Sequence, residues 1–89
     1  MDEVCEKAVQ KWGSKAQINM LVEECGELLQ ALMHYYRGRN NLEDVQEEIA
    51  DVLMMCWQMR YIFGARGVDE KLQEKLARIE KRGFSKKDE

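Results

Sequence analysis

The chain has no proline and only one histidine, His34, among its 89 residues. Without proline no helix is forced to break, and residues that favour strands are few. Hydrophobic residues make up 45% of the chain, which is normal for a globular protein, and charged residues make up 35%, which is high. The sequence therefore predicts an all-α protein.

Cysteine is scarce, and its spacing carries no metal or redox pattern. There are three cysteines, and no two of them form a C-x-x-C pair. This argues against a disulfide framework and against a zinc site. Cys25 and Cys56 fall on apolar helical positions, so we expect them to be small buried residues of the core.

The sequence also lacks a long uninterrupted apolar run. The longest such stretch, residues 52–63, contains Gln58 and Arg60 and is shorter than the ~20 residues that cross a bilayer. The first residues, Met-Asp-Glu-Val, are acidic, whereas a secretory signal begins with basic ones. We therefore expect a cytoplasmic protein without a membrane partner.

Glycines divide the chain where helical patterns end, as glycines at helix C-termini commonly do. The pattern predicts four helices, over residues 2–12, 15–37, 42–63 and 69–82. N-caps are expected at Ser14, Asn41 and Asp69. We expect one domain over residues 1–84, with two long antiparallel helices at its centre and a frayed polar tail over residues 85–89.

The two central helices are apolar on more than one side. Core seams with spacings of three and four are predicted at Ile18, Leu21, Cys25, Leu28 and Leu32, and at Val45, Ile49, Val52, Cys56, Met59 and Phe63. Further apolar side chains, such as Val22 and Leu53, lie outside these seams. One short chain cannot cover so much apolar surface, so we expect a homodimer, or a tetramer, in which the long helices form a four-helix bundle.

The helices that carry these seams also contain two pairs of carboxylates. Glu24 and Glu27 are three residues apart, as are Glu48 and Asp51, so each pair lies on one face of its helix. The turn is centred near residues 39–40, which places residue i opposite residue ~79 minus i and brings the pairs within about one helical turn. Four clustered carboxylates repel one another without a cation. Oxygen ligands without a histidine or thiolate partner favour Mg²⁺, Mn²⁺ or Ca²⁺ over zinc, and we expect Mg²⁺ as the cofactor, with Mn²⁺ as a substitute.

A di-iron site and a solvated helix face are weaker accounts of these acids. A di-iron site needs two Glu-x-x-His motifs, and His34 is not in that spacing. A solvated helix face would explain one pair, but two pairs in matching positions, each bracketed by core residues, argue against it.

Charge is unevenly distributed along the chain. Residues 23–51 contain eight acids and two bases, whereas residues 71–87 contain seven bases and two acids. An acidic centre with a basic end suits a metal site that binds an anionic ligand, and an ordinary solvated helix face is the alternative for the basic segment. We expect no nucleic-acid polymer as a partner.

Two runs, Gln17-Ile-Asn-Met-Leu-Val-Glu-Glu-Cys-Gly-Glu-Leu-Leu-Gln-Ala31 and Glu47-Glu-Ile-Ala-Asp-Val-Leu53, closely resemble the MazG-like all-α nucleoside triphosphate pyrophosphohydrolases. That family is marked by E-x-x-E on one helix and E-x-x-D on the next, and the similarity covers about residues 12 to 82. It implies hydrolysis of a (d)NTP between the α and β phosphates, giving a monophosphate and pyrophosphate, in the clearing of unwanted nucleotides. The implied catalytic Mg²⁺ ligands are Glu24, Glu27, Glu48 and Asp51.

The resemblance implies two further sets of site residues. The phosphate-binding residues would be Lys75, Arg78 and Arg82, although an asparagine that some relatives carry in this region is absent. Trp12 and His34 would line a base pocket, with packing and an exposed surface position as their respective alternatives.

Two other functions stay open at this point. A phosphoribosyl-ATP pyrophosphohydrolase shares the paired carboxylates. A non-catalytic helical dimerisation or regulatory module could keep the shape of the site without its activity.

Overall fold

A computed structural model describes residues 1–83 of the chain. Its helices are α1 (Asp2–Trp12), α2 (Ser14–Tyr36), α3 (Leu42–Phe63) and α4 (Ala65–Gly83). No strand occurs within these residues, so the all-α prediction is confirmed. The expected frayed tail, residues 85–89, lies outside the described residues.

Two of the links between helices consist of a single glycine. Gly13 separates α1 from α2 with a φ of 89°, and Gly64 separates α3 from α4 with a φ of 107°. Residues with a side chain rarely adopt such positive φ values, so glycine allows the chain to turn within one residue at both points. Ser14 is consequently the first residue of α2 and not its N-cap, which is Gly13.

The long helices α2 and α3 form an antiparallel hairpin. Residues 37–41 connect them, and the Asn41 side chain returns to α2, where its Nδ2 donates a hydrogen bond of 3.0 Å to the carbonyl oxygen of Ala31. Ala31 and Val45 are buried near this end of the hairpin. Asn41 is the N-cap residue of α3, as predicted, but its side chain bonds to α2 and makes no cap hydrogen bond.

α1 packs against one side of the hairpin, mainly on α3. Its Cys5 and Val9 are buried, as is Met55 of α3. These small and flexible side chains allow close helix packing. The hairpin therefore has an inner side facing α1 and an opposite side that α1 leaves open.

α4 begins four residues earlier than predicted. Gly67 lies within α4 and does not delay its start, since the Val68 amide already donates to the Gly64 carbonyl oxygen at 3.1 Å. Asp69 is therefore inside the helix and not at its N-cap. Its carboxylate instead receives two hydrogen bonds from Arg60, of 2.8 and 2.5 Å, which pin α4 to the end of α3.

The predicted core seams are only partly buried, and here the sequence prediction was wrong. Cys25 and Cys56 are exposed. Leu32, Ile49 and Phe63 are exposed as well. Helices α2 and α3 meet along the line that contains the carboxylates, so these five residues are rotated away from the contact.

Three of these residues, Cys25, Ile49 and Cys56, belong to a larger apolar surface on the side away from α1, which we call the outer face. It consists of Val22, Cys25, Leu29, Met33, Ile49, Leu53 and Cys56. Within the described residues, the single chain leaves these apolar side chains uncovered.

None of the described helices combines the length and the apolar character needed to cross a lipid bilayer.

Candidate metal centre

Three of the predicted acidic residues converge at the middle of the hairpin. Glu24 and Glu27 of α2 and Glu48 of α3 each contribute one carboxylate oxygen, and these oxygens all lie within 4.8 Å of one another. Asp51, the fourth predicted residue, lies near Glu24, and both line the same cavity. The fold therefore gathers carboxylates that belong to two different helices into one cluster, which we call the acidic cluster.

Pairing of α2 with α3 explains this convergence. Gln17 Nε2 donates to Gln58 Oε1 at 2.6 Å, which fixes the register of the two helices. In this register residue i lies opposite residue ~75 minus i, four less than the predicted sum, and Glu24 then faces Asp51 while Glu27 faces Glu48. A shift of four residues is about one helical turn, which leaves the same faces opposed.

The surroundings of two acids in the cluster, Glu24 and Glu48, disfavour their ionised forms. Partial burial, followed by the negative charges of Glu27 and Asp51, raises the pKa of Glu24 to about 7. Partial burial also raises the pKa of Glu48, again with Glu27 and Asp51 adding to the effect. Near neutral pH the cluster therefore retains protons unless a cation replaces them.

Two buried oxygens identify where a cation fits. Glu24 Oε2 and Glu48 Oε2 are both shielded from solvent and have no hydrogen-bond partner. A buried carboxylate oxygen without a partner is costly, because it loses its water and gains nothing in return. Within residues 1–83, no lysine or arginine forms an ion pair with the cluster. The donor set consists of oxygens alone, which suits a hard divalent cation.

A cavity of ≈ 620 Å³ opens beside the cluster, between the hairpin and α1. Glu24 and Asp51 stand at its edge, and its remaining walls are largely apolar. They include Ala8, Trp12, Met20, Met54 and Met55. A cavity of this size accommodates a drug-sized or nucleoside-sized ligand. The site thus combines an anionic corner with an adjacent apolar chamber.

The sequence analysis missed a buried polar pair in the wall of this cavity. Gln17 and Gln58 are only 8% and 4% exposed, and both line the cavity. Beyond the bond that joins them, Gln58 Nε2 contacts the Met55 Sδ atom at 3.6 Å. A single glutamine on a helix has no diagnostic spacing, so only the register of α2 against α3 reveals the pair.

The other predicted site residues lie apart from the acidic cluster. Trp12 lines the cavity and is 59% exposed, whereas His34 does not border it. Lys75, Arg78 and Arg82 lie on the exposed surface of α4 and do not line the cavity. Trp12 therefore lines the same cavity as two of the acids, whereas the three basic residues of α4 lie outside this cavity.

Comparison with known protein families identifies the domain. The model of the MazG nucleotide pyrophosphohydrolase domain matches residues 12–84, which is most of the chain. No curated protein and no solved structure gives a match. The match includes both carboxylate pairs, Trp12 and the basic segment of α4. The chain belongs to the MazG nucleotide pyrophosphohydrolase domain family.

Proposed function

We propose that this protein hydrolyses nucleoside triphosphates between the α and β phosphates, with Mg²⁺ as cofactor, giving a monophosphate and pyrophosphate. The observation that carries the proposal is the pair of buried, unpartnered oxygens, Glu24 Oε2 and Glu48 Oε2, beside a nucleoside-sized cavity. Membership of the family supports nucleotide hydrolysis in general, and the geometry supports a site for it. Clearing of unwanted or excess nucleotides is the role we assign to this activity.

Each acid of the cluster has a role in this proposal. Glu24, Glu27 and Glu48 hold the cation through the three oxygens that lie within 4.8 Å, and Asp51 completes the set from beside Glu24. A bound Mg²⁺, or Mn²⁺ in its place, would neutralise the triphosphate and supply an acidified water for in-line attack. The four carboxylates would otherwise repel the polyphosphate.

The apolar cavity is the proposed chamber for the base. Its mouth adjoins the acids, so a nucleotide with its phosphates at Glu24 could extend its base towards Trp12. The exposed indole ring of Trp12 offers a flat surface for stacking. The Gln17–Gln58 pair offers amide groups that can meet the polar edge of a base. His34 has no contact with this cavity, so the proposal leaves it outside the chamber.

The decisive experiment measures pyrophosphate release from a panel of ribo- and deoxynucleoside triphosphates, with phosphoribosyl-ATP included. We expect release that requires Mg²⁺, and a loss of about a hundredfold or more in the Glu48→Gln variant, because one cation ligand is gone. Glu43→Gln is the matched control, since Glu43 is an exposed acid of α3 outside the cluster. Activity on phosphoribosyl-ATP alone would redefine the substrate, and no release with any nucleotide would refute the enzyme proposal.

We also propose that the protein is a homodimer joined through the outer face. Val22 and Leu53, at 67% and 62% exposure, occupy α2 and α3 on this side. Joining two hairpins along it gives a four-helix bundle, which covers the apolar side chains of both copies.

Light scattering coupled to size exclusion tests the dimer. The wild type is expected at twice the mass of one chain, and Leu53→Lys at the monomer mass at micromolar concentration, because a lysine charge would be buried at the interface. Met20→Lys is the control, since Met20 is also exposed but faces the cavity. A wild type that stays monomeric and well folded would exclude the dimer.

A further inference from the structure

Helix α1 forms one wall of the cavity beside the acidic cluster. Val4, Cys5, Ala8 and Trp12 of α1 all line it. The buried residues of α1 are Cys5 and Val9, whereas Val4 and Trp12 are 70% and 59% exposed. This wall is therefore an apolar surface that the hairpin leaves uncovered and that a ligand in the cavity would cover.

A second, smaller cavity of ≈ 200 Å³ lies under the first turns of α1. It separates Cys5 and Glu6 of α1 from Trp57 and Tyr61 of α3, and Cys5 borders both cavities. Side chains that line a void lose contacts on that side. A helix with few buried apolar contacts belongs to the part of a fold that opens most easily. The packing of α1 on α3 is thus the weak joint of this fold.

The connection of α1 to α2 allows such an opening. Gly13 alone forms it, and outside its immediate neighbours no described atom lies within 4 Å of the point where a side chain would begin. The Gly13 amide donates to the Val9 carbonyl oxygen at 2.8 Å, and the Gln17 amide donates to the Gly13 carbonyl oxygen at 3.2 Å. Both helices are therefore continuous up to this residue, so a change in its φ and ψ swings α1 as a rigid body.

The far end of α1 is tied to α3 through Asp2. The helix has 11 residues and is about 16 Å long, so Asp2 is the residue farthest from Gly13. Its Oδ1 accepts a hydrogen bond from Trp57 Nε1 and another, of 3.5 Å, from Arg60 Nη1. The other side-chain bonds between α1 and α3 are long, with 3.5 Å from Gln10 Nε2 to the Tyr61 hydroxyl.

The two groups that receive Asp2 are fixed before it arrives. The Arg60 guanidinium lies over the Trp57 ring, 4.0 Å from its centroid, and also binds Asp69 of α4. The Arg60 side chain is 14% exposed, whereas that of Asp2 is 79% exposed. Water can therefore replace the partners of Asp2, so this contact favours one position of α1 without locking it.

We infer that α1 is a lid on the cavity, that it turns about Gly13, and that Asp2 is the positioning residue that latches it to Trp57 and Arg60. An open lid admits the ligand, and a latched lid holds Val4 and Ala8 against it. The nature of the ligand, a nucleotide, rests on the proposed function. The motion of α1 rests on the fold alone.

Cys5 reports the motion directly. Its side chain is 3% exposed and its Sγ donates to the Met54 carbonyl oxygen at 3.9 Å, so a thiol reagent reaches it when α1 leaves α3. The measurement uses a background in which the exposed Cys25 and Cys56 are replaced by alanine. We expect Cys5 to react faster than the whole protein unfolds, with the unfolding rate taken from urea experiments followed by circular dichroism.

Asp2→Asn tests the latch, and Glu3→Gln is its matched control. Both remove an acid from the first turn of α1, but Glu3 pairs with Lys7 of its own helix. Asp2→Asn is expected to speed the labelling of Cys5 by about two- to fivefold, because the open lid becomes more populated. Glu3→Gln is expected to keep the rate of the background. Labelling no faster than global unfolding, or an equal rate in the two variants, would overturn the inference.

The same variants test what the lid does for the proposed reaction. Mg²⁺ with a triphosphate whose α and β phosphorus atoms are joined by a methylene group should slow the labelling of Cys5. Asp2→Asn should raise KM by about two- to fivefold and leave kcat unchanged, because the acidic cluster is intact and only the latched fraction falls. An active protein whose KM is the same in Asp2→Asn and Glu3→Gln would overturn the positioning role. Absence of activity in the wild type would refute the proposed function, while the labelling of Cys5 still decides the lid.

Discussion

The hairpin of α2 and α3 and the exposed helix α4 differ in how they place their charged side chains. In the hairpin, packing forces acids together, and burial leaves Glu24 Oε2 and Glu48 Oε2 without partners. In α4, the bases remain on an exposed helix that packs on little else. The difference is that the hairpin holds like charges close together, an arrangement that a bound cation would relieve, whereas the charges of α4 are separated and exposed to solvent.

The strongest test of this contrast replaces an acid of the cluster. Glu24→Gln is expected to reduce pyrophosphate release by about a hundredfold or more, because it removes one of the proposed cation ligands. In metal-free buffer the same variant is expected to unfold a few degrees higher than wild type, since one repelling charge is gone. The two effects are measured by coupled pyrophosphate assay and by thermal melts with a chelator present. Equal loss of activity and stability would mean that Glu24 serves packing and not cation binding.

In α4, we expect a substitution to change nucleotide binding without changing the stability of the protein. Lys75→Ala is expected to raise KM for the nucleotide by about tenfold, because the phosphate contact that the family resemblance implies for Lys75 would be lost. Its thermal midpoint should equal that of wild type, since Lys75 is exposed and unpaired within the described residues. Lys81→Ala is the control, because Lys81 is a basic residue of α4 outside the set Lys75, Arg78 and Arg82. It is expected to keep the wild-type KM and thermal midpoint. Unchanged kinetics in Lys75→Ala would remove α4 from the site.

Substitutions in the buried wall of the cavity are expected to change the stability of the protein. Gln58→Leu leaves the buried Gln17 amide without its 2.6 Å partner and should lower the free energy of unfolding by about 1–3 kcal/mol. Replacing both glutamines by leucine should recover much of that loss, because no polar group is then left unpaired. Urea unfolding at fixed protein concentration measures both values. A double variant that is less stable than the single one would show that the two glutamines stabilise the fold by more than the hydrogen bond between them.

The smallest effect is expected at the junction of the two regions. Asp69→Asn removes the acceptor for Arg60 and should lower the free energy of unfolding only slightly, because Asp69 is half exposed and solvent screens the pair. Arg60 lowers the pKa of Asp69, so this contribution is present at neutral pH and is lost as pH falls through that lowered value. Glu70→Gln, which removes the more exposed pairing with Arg66, is the control and should cost less. An equal cost would mean that Asp69 does not fix α4.

Helix positions follow closely from the sequence because glycines with positive φ mark helix ends. α1 has the predicted bounds and α3 has them as well, since Gly13 and Gly64 end them. The start of α4 was wrong because Gly67 resembles a helix breaker in sequence and is tolerated in the first turn. A side-chain bond between Asp69 and Arg60, nine residues apart, has no local signature.

The rotation of α2 and α3 about their axes was harder to predict. Both helices are apolar on several sides, so spacing alone assigned Cys25 and Cys56 to the core, whereas both are exposed. The carboxylates were nevertheless predicted to meet, because residues three apart share a face and a one-turn error in register preserves that face. Gln17 and Gln58 acquire meaning only when the two helices are aligned.

The central claim is that the acidic cluster cleaves a nucleoside triphosphate between its α and β phosphates. Chromatographic identification of products, from a turnover with Mg²⁺ and the best triphosphate of the panel, tests it most directly. The proposal predicts equal amounts of nucleoside monophosphate and pyrophosphate from wild type and neither from Glu48→Gln. Nucleoside diphosphate with orthophosphate, or products that Glu48→Gln releases at the wild-type rate, would contradict it.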